Sequence, residues 1–310
     1  MTLLLVTTSL GVAPWTGADT FVLPSDGGGV VGQLRLVRAS EKDTFSDIAL
    51  AENQGFRELN LANPDVDAWL PGEGTEVLVP SQHILPEAPR AGLVVNVPEM
   101  RLYYFPEARE DESRVVMTHP ISIGRQEWLT PKGITEVVAK SKHPTWYPPE
   151  SIRDEHAQRG EHLPRVVPAG PDNPLGHYAL SLGIPGYLIH GTNKPFGLGM
   201  RVTHGCIRMY PSDIEKIFYE VSVGTAVRII NQPFKVGILA NEVYVEVHPP
   251  LAEDKDEFRP GYSVVVNLIV SALGERSAQI DWNALHQALR EARGVPERIG
   301  ALNGGELATL

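Results

Sequence analysis

Cys206 is the only cysteine in a chain of 310 residues. It stands in the run Thr203, His204, Gly205, Cys206, Ile207, Arg208, with a second histidine, His190, sixteen positions upstream. A lone cysteine forms no internal disulfide, so its place in a histidine- and glycine-bearing turn points to chemistry. A thiol beside an imidazole can give up its proton and attack a carbonyl, while backbone N–H groups hold the oxyanion that forms. Gly205 lacks a Cβ and permits the sharp turn that would expose such N–H groups around Cys206. His190 is the better base. It ends a strand-like run, whereas the His204 side chain, two residues from Cys206 in an extended segment, is expected to point elsewhere. With no Asp or Glu near His190 in sequence, a backbone carbonyl could serve to orient its ring.

Blander readings of the same residues exist. A single buried cysteine is ordinarily an inert small hydrophobe. His190, His204 and Cys206 could also supply three zinc ligands, but the pattern lacks a fourth ligand and any short metal-binding repeat. His156, His162 and His177 lie in polar or loop surroundings that suit solvated or structural roles.

The elements that must position the thiol follow from periodicity. Leu93 to Val97, Met100 to Phe105, Val115 to Ile123 and Ile134 to Ser141 carry period-two or β-branched runs, each punctuated by Gly or Pro. Pro164 to Gly176 is rich in Pro, Gly, Asp and Asn and reads as a loop; Tyr178 to Leu182 and Tyr187 to His190 read as strands. Past the cysteine, Pro211, Ser212 and Asp213 open a helix. Ser212 and Glu215 have capping-box spacing, and Ile214, Ile217, Phe218 and Val221 share one face. Val223 to Ile230 returns as a strand. The rest holds an alternating strand, Val243 to His248, an apolar run, Val264 to Val270, and a helix capped by Asp281 and ended at Gly294 and Pro296.

Ahead of all this, Leu34, Leu36 and Val37 open a strand, Asp43 and Thr44 can cap a helix carrying Phe45, Ile48 and Ala49, and Phe56 to Ala62 form a second helix stopped by Asn63 and Pro64. Val77 to Val79 closes the unit. His83 to Arg90, with Pro86 and Pro89, reads as a stiff linker.

Composition bounds the partners. A formal charge of −11 with no basic stripe argues against nucleic acid, and 26 prolines with 29 glycines suit β-rich modules with many turns. Leu3 to Leu10 is an apolar run too short to span a bilayer, followed by small residues through Ala18; it reads as an export signal, with a mature chain starting near Asp19. No Lys or Arg precedes Arg35, so the basic start of such a signal is missing, and a buried N-terminal strand is the competing reading. No other stretch is apolar enough for a membrane span.

The motifs resemble known families. His190, Gly191, Thr192 and Asn193, then Thr203 to Arg208, look like the active-site motif of the L,D-transpeptidase catalytic domain of the YkuD type, and Pro168 to Gly176 resembles the loop ahead of its catalytic histidine. Thr203 stands where many members have Ser. The earlier segment, with Asp43, Thr44, Ile48, Ala49, Asn63, Pro64, Pro71, Gly72 and Pro80, is similar to a LysM module that binds N-acetylglucosamine-containing glycans, although Lys42 replaces the usual glycine; a small α/β adaptor is the plainer reading. Together with the C-terminal extension, the chain is similar to the periplasmic enzymes that attach Braun-type lipoprotein to peptidoglycan. The organisation implied is a signal over 1–18, a LysM-like module over 33–81, a catalytic domain over 91–231 and a C-terminal subdomain over 232–310. The fold class is mainly β: a β-sandwich-like catalytic domain, a small βααβ module and a mixed α/β appendage.

What the resemblance implies is a cysteine acyltransferase in the periplasm. Cys206 would be the nucleophile and His190 the base, with His204, Gly205 and Arg208 supporting the cysteine loop and Gly191, Thr192, Asn193 and Thr203 meeting the substrate. The partners would be peptidoglycan stem peptides and glycan chains. A second stem or a lipoprotein C-terminal lysine would be the acceptor, no cofactor or metal would be needed, and the thiol would be a carbapenem target. Two rivals share the residues: a hydrolase in which water resolves the thioester, and a non-catalytic wall protein that only binds glycan.

Overall fold

The computed structural model describes residues 19–24, 28–107, 113–259 and 261–303. The expected export signal over 1–18 lies outside them. The N-terminal part runs β1 (Asp19–Val22), β2 (Val30–Gly32), β3 (Arg35–Arg38), α1 (Phe45–Ala51), α2 (Phe56–Ala62), β4 (Glu76–Val79) and β5 (Gln82–Ile84). The middle part follows with β6 (Gly92–Asn96), β7 (Arg101–Phe105), β8 (Val115–Pro120), β9 (Ile123–Gly124), β10 (Gly133–Lys142), α3 (Glu150–Gln158), β11 (Tyr178–Leu182), β12 (Leu188–His190), β13 (Arg201–Thr203), β14 (Ile207–Arg208), α4 (Pro211–Glu220) and β15 (Ala226–Ile230). The last part holds β16 (Phe234–Leu239), β17 (Glu242–Val247), α5 (Gly261–Leu273), β18 (Ala278–Ile280), α6 (Trp282–Glu291) and β19 (Pro296–Leu302).

The chain is mainly β. Nine strands form one curled sheet in the order β1-β8-β7-β6-β15-β10-β11-β12-β14, and β9 pairs with β13 beside its end. Successive residues of the central strands serve opposite faces, as strand geometry requires. Leu93, Val95, Leu102 and Tyr104 enter the main core with Ile189, Ile207 and the α4 residues Ile214 and Ile217. Val94, Tyr103 and Phe105 fill a second core on the other face with Leu23, Val31 and Leu85. Burial on both faces explains why these runs read as almost continuously apolar.

Local signals acted largely as the sequence suggests. Thr44 caps α1, its hydroxyl accepting from the Asp47 N–H while Asp47 accepts from the Thr44 N–H. Asn63 ends α2 and pins it to β4, donating to Leu59 O and Leu78 O and accepting from the Leu78 N–H. The capping box expected at α4 is absent. Pro211 occupies the first turn with Tyr210 before it, which proline's fixed φ favours, and Glu215 accepts from Tyr178 OH at 2.7 Å.

The stiff linker is a second difference. His83 and Ile84 are buried in β5, which pairs with β2. The Ile84 N–H donates to Glu246 of β17 at 2.6 Å, so apolar burial outweighs the proline signal. Around that contact lies a buried polar cluster drawn from all three parts. Lys235 Nζ donates to Glu99 at 2.9 Å, lies 2.7 Å from Glu246 and donates to Tyr103 OH at 3.2 Å. His248 stands 2.6 Å from Glu246.

Two further contacts tie the N-terminal helices to the sheet. Arg101, wholly buried on β7, donates to both Glu58 oxygens at 2.8 and 2.9 Å and to Gln54 at 2.9 Å. The Phe56 N–H donates to Leu198 O at 2.8 Å, on the segment leading into β13.

Candidate active site

β12 and β14 run parallel, with Ile189 opposite Ile207 and His190 opposite Arg208. Ile189 and Ile207 are buried in the main core. Period-two alternation therefore puts Leu188, His190, Cys206 and Arg208 together on the opposite face. The thiol and its expected base are brought to one surface by the register of two short strands.

The turn before β14 is held by hydroxyls. Thr203 Oγ1 donates to Cys206 O at 2.6 Å and accepts from the Gly205 N–H at 3.2 Å. Thr130 Oγ1 donates to Gly205 O at 2.9 Å. Gly205 has φ +98°, and a Cβ there would fall 2.7 Å from the Tyr187 ring, so backbone and space both require glycine.

His190 is buried, and its Nδ1 lies 2.7 Å from Gly191 O, the backbone carbonyl anticipated from sequence. That bond places the proton on Nδ1 and leaves Nε2 with a lone pair. Burial first, and then the Arg208 charge, lower its pKa to about 4, against the smaller opposing effect of Gly191 O. The ring is thus neutral at neutral pH and able to accept a proton. Burial raises the Cys206 thiol above its ordinary value, while a backbone hydrogen bond from Leu188 and the Arg208 charge partly offset this. The resting pair is therefore neutral thiol and neutral imidazole.

The thiol does not hydrogen-bond to His190; it donates to Gly186 O at 3.7 Å. Arg208 is held through its backbone, exchanging bonds with Ser122 at 2.8 and 2.9 Å. Its buried Nε has no partner among the described residues.

His204 turns away from the thiol, as its spacing suggested. Its Nε2 lies 2.8 Å from Glu155 and 3.0 Å from Arg125, with Trp128 edge-on at 5.1 Å. Arg125 first, and then His204, hold the Glu155 carboxyl down at about 2. Glu155 belongs to α3, forty-nine residues from His204, and no sequence pattern links them. Asn173 was legible only as part of a polar loop. It is wholly buried, donates to Pro144 O, Val167 O and Pro168 O, and accepts from the Leu175 N–H. An asparagine amid prolines and glycines is the available hint, since its amide readily bonds nearby backbone.

The other expected site residues gather at the same end. Asn193 is exposed and donates to Pro171 O at 3.2 Å, joining the histidine loop to the Asn173 loop. Thr192 is buried and accepts from the Lys194 N–H at 2.9 Å. A Cβ on Gly191 would meet Ile214 at 3.0 Å.

The three residues weighed as zinc ligands do not converge, because His204 points to Glu155. Among the described residues the close metal-like group is His83, Glu99 and Glu246, with ligand atoms within 4.8 Å, where the Lys235 ammonium already supplies the positive charge.

The region 90–229 matches the family model for the L,D-transpeptidase catalytic domain, YkuD. Over 289 residues the chain is 40% identical to the probable L,D-transpeptidase ErfK/SrfK of Escherichia coli, covering 92% of each. The chain belongs to the L,D-transpeptidase family. It is also 40% identical over 285 residues to the probable L,D-transpeptidase YcfS of the same organism, covering 90% of this chain and 88% of that one. A third relative there, the probable L,D-transpeptidase YbiS, is 38% identical over 296 residues, covering 94% and 95%. The alignment thus reaches well beyond the catalytic region of this L,D-transpeptidase. No helix among the described residues is long and apolar enough to cross a membrane.

Proposed function

We propose that this L,D-transpeptidase is exported to the periplasm and acts on peptidoglycan tetrapeptide stems through a thioester on Cys206. The carrying observation is the Nδ1 bond of His190 to Gly191 O, which frees Nε2 on the face shared with the thiol. In the first step Sγ bonds to the carbonyl carbon between diaminopimelate and the terminal D-alanine as its proton passes to Nε2. The Cys206 N–H, outside the strand ladder and with no partner among the described residues, is a ready oxyanion donor. The carbon–nitrogen bond then breaks, and the proton leaves on the D-alanine amine. An acceptor amine gives a proton to His190, attacks the thioester and displaces the thiolate, which is reprotonated. Arg208 places a positive charge beside the sulfur throughout.

The acceptor is the lysine end of a lipoprotein or the side-chain amine of a second stem. Gly191, Thr192, Asn193 and Thr203 line or hold the cleft, and the helical unit over 33–81 binds the glycan. Purified disaccharide tetrapeptide, incubated with and without a lysine-ended peptide, decides the matter by mass spectrometry. D-alanine release with a product joined to the peptide is expected. D-alanine release with only the free tripeptide would mean that water is the acceptor.

A further inference from the structure

Helix α2 presents a cation that the chemistry above does not use. Arg57, its second residue, is half-buried where the N-terminal helices meet the segment before β13. The approach there is close. Besides the Phe56 bond to Leu198 O, Gly199 has φ +85° and a Cβ on it would fall 2.4 Å from the Gly55 Cα.

Among the described residues the Arg57 side chain makes no ion pair and no hydrogen bond, unlike Arg101 with Glu58 or Arg35 with Glu52. The charge acting on it has the same sign. That neighbour, Arg201, is itself fully engaged, with both terminal nitrogens on Glu253 at 2.8 Å and Nε on Gly124 O at 3.1 Å. Burial first, and then Arg201, push Arg57 below the ordinary arginine value, yet an arginine remains protonated at neutral pH. A half-buried guanidinium with no anion of its own is unfavourable, and the nearby Glu253 carboxylate is taken up by Arg201. Its planar fork of donors matches a carboxylate in two places at once.

We propose that Arg57 is an anion subsite for a free carboxylate of the peptidoglycan stem peptide, held by the N-terminal helices against the strand that delivers Cys206. The inference rests on the reading of stems as substrate. Two residues of extended strand, about 7 Å, separate Arg201 from Thr203, whose hydroxyl holds the Cys206 carbonyl. An extended four-residue stem reaches about 13 Å, so the carboxylate concerned belongs to a residue remote from the scissile bond.

The test uses the full chain carrying Cys206→Ala, so that ligands bind without reacting. Calorimetric affinity is measured for disaccharide tetrapeptide and for the same molecule with its internal carboxylates amidated. Arg57→Gln should weaken the free-carboxylate ligand about tenfold, Arg57→Lys should recover part of that loss, and the amidated ligand should bind all three proteins alike. Removing a half-buried charge that has no partner should leave the melting temperature of Arg57→Gln at or above that of its parent. Equal affinities for both ligands, an equal loss for both, or a lowered melting temperature overturns the subsite. D-alanine release by the protein with Cys206 intact is measured in parallel: turnover without an Arg57 effect on affinity sinks this inference alone, whereas no turnover on any stem sinks the functional reading.

Discussion

Arg101 and Glu58 form a buried bidentate pair, 2.8 and 2.9 Å, between a sheet strand and a helix of the N-terminal unit. Removing one partner strands the other charge in a low-dielectric interior, a cost of about 3–5 kcal/mol. Glu58→Ala should therefore lower stability by about that amount, read from chemical denaturation. Deleting the chain before Pro86 should harm turnover of a soluble stem as well as retention on sacculi, because Arg101 and Leu198 both lose their contacts. A truncated protein with full soluble turnover would show that the unit is a detachable tether.

Replacing Cys206 by Ala should abolish D-alanine release with little change in fold, since the half-buried thiol lies outside the main core. Cys206→Ser should fail as well, because a hydroxyl ionises far less readily than a thiol. A carbapenem should leave a one-to-one adduct, by intact mass, on the peptide containing Cys206. Adduct formation on the Cys206→Ala protein would remove the thiol from the mechanism.

The buried neutral His190 has a consequence for stability against pH. Its pKa falls from 6.5 to about 4 on folding, so between those values the unfolded chain binds a proton that the folded chain does not. The contribution is complete above pH 6.5 and is lost as pH falls toward 4, a difference of about 3 kcal/mol. Denaturation of wild type and His190→Gln across this window should show the steeper acid loss in wild type. Parallel curves would mean that the ring takes up its proton as easily folded as unfolded.

Alkylation of Cys206 by iodoacetamide should rise with pH beyond the range of an ordinary thiol, because burial raises its pKa and thiolate is the reactive form. A plateau of high reactivity already below neutral pH would instead signal a resting thiolate–imidazolium pair.

Glu155→Ala removes the carboxylate that holds His204 and loosens the turn on which Cys206 sits. We expect kcat to fall about tenfold with KM little changed, as for a group that positions another. The iodoacetamide rate at high pH should stay near that of wild type.

Trp69 is 63% exposed and rests against Phe56 at a ring separation of 5.6 Å. Trp69→Ala should alter stability by no more than about 0.5 kcal/mol. If the N-terminal helices bind glycan, the same change should weaken retention on peptide-free glycan chains in a co-sedimentation assay; undiminished retention would place glycan contact elsewhere.

Much of this site is written in short-range signals. A strand ending at His190, a carbonyl to orient its ring, a glycine-permitted turn at Gly205 and a Thr44-capped helix each depend on residues within a few positions of one another. Glu155, Arg125 and Asn173 depend instead on which loops the topology folds together. The buried charges were hidden for a related reason. Arg101 opens an otherwise apolar strand, and Lys235 is the second residue of another, where a charge is ordinarily read as a solvated edge; only a partner dozens of residues away makes its burial tolerable. Ser212 and Glu215 show the converse, since a local pattern can be present while Pro211 and Tyr178 give its residues other work.

The cluster around Lys235 bears on how the chain is made. Glu99 and Tyr103 lie more than a hundred residues before Lys235 and Glu246 in the chain, yet meet them in one buried cluster. Until the C-terminal strands pack, Glu99 lacks the cation that makes its burial tolerable, so the catalytic region reaches its final packing only together with them. Grafting a foreign C-terminal part at residue 232 would leave that debt open unless Lys235, Glu246 and His248 travel with it, which makes the recombination boundary a chemical one, set by charge balance and not by where the loops fall.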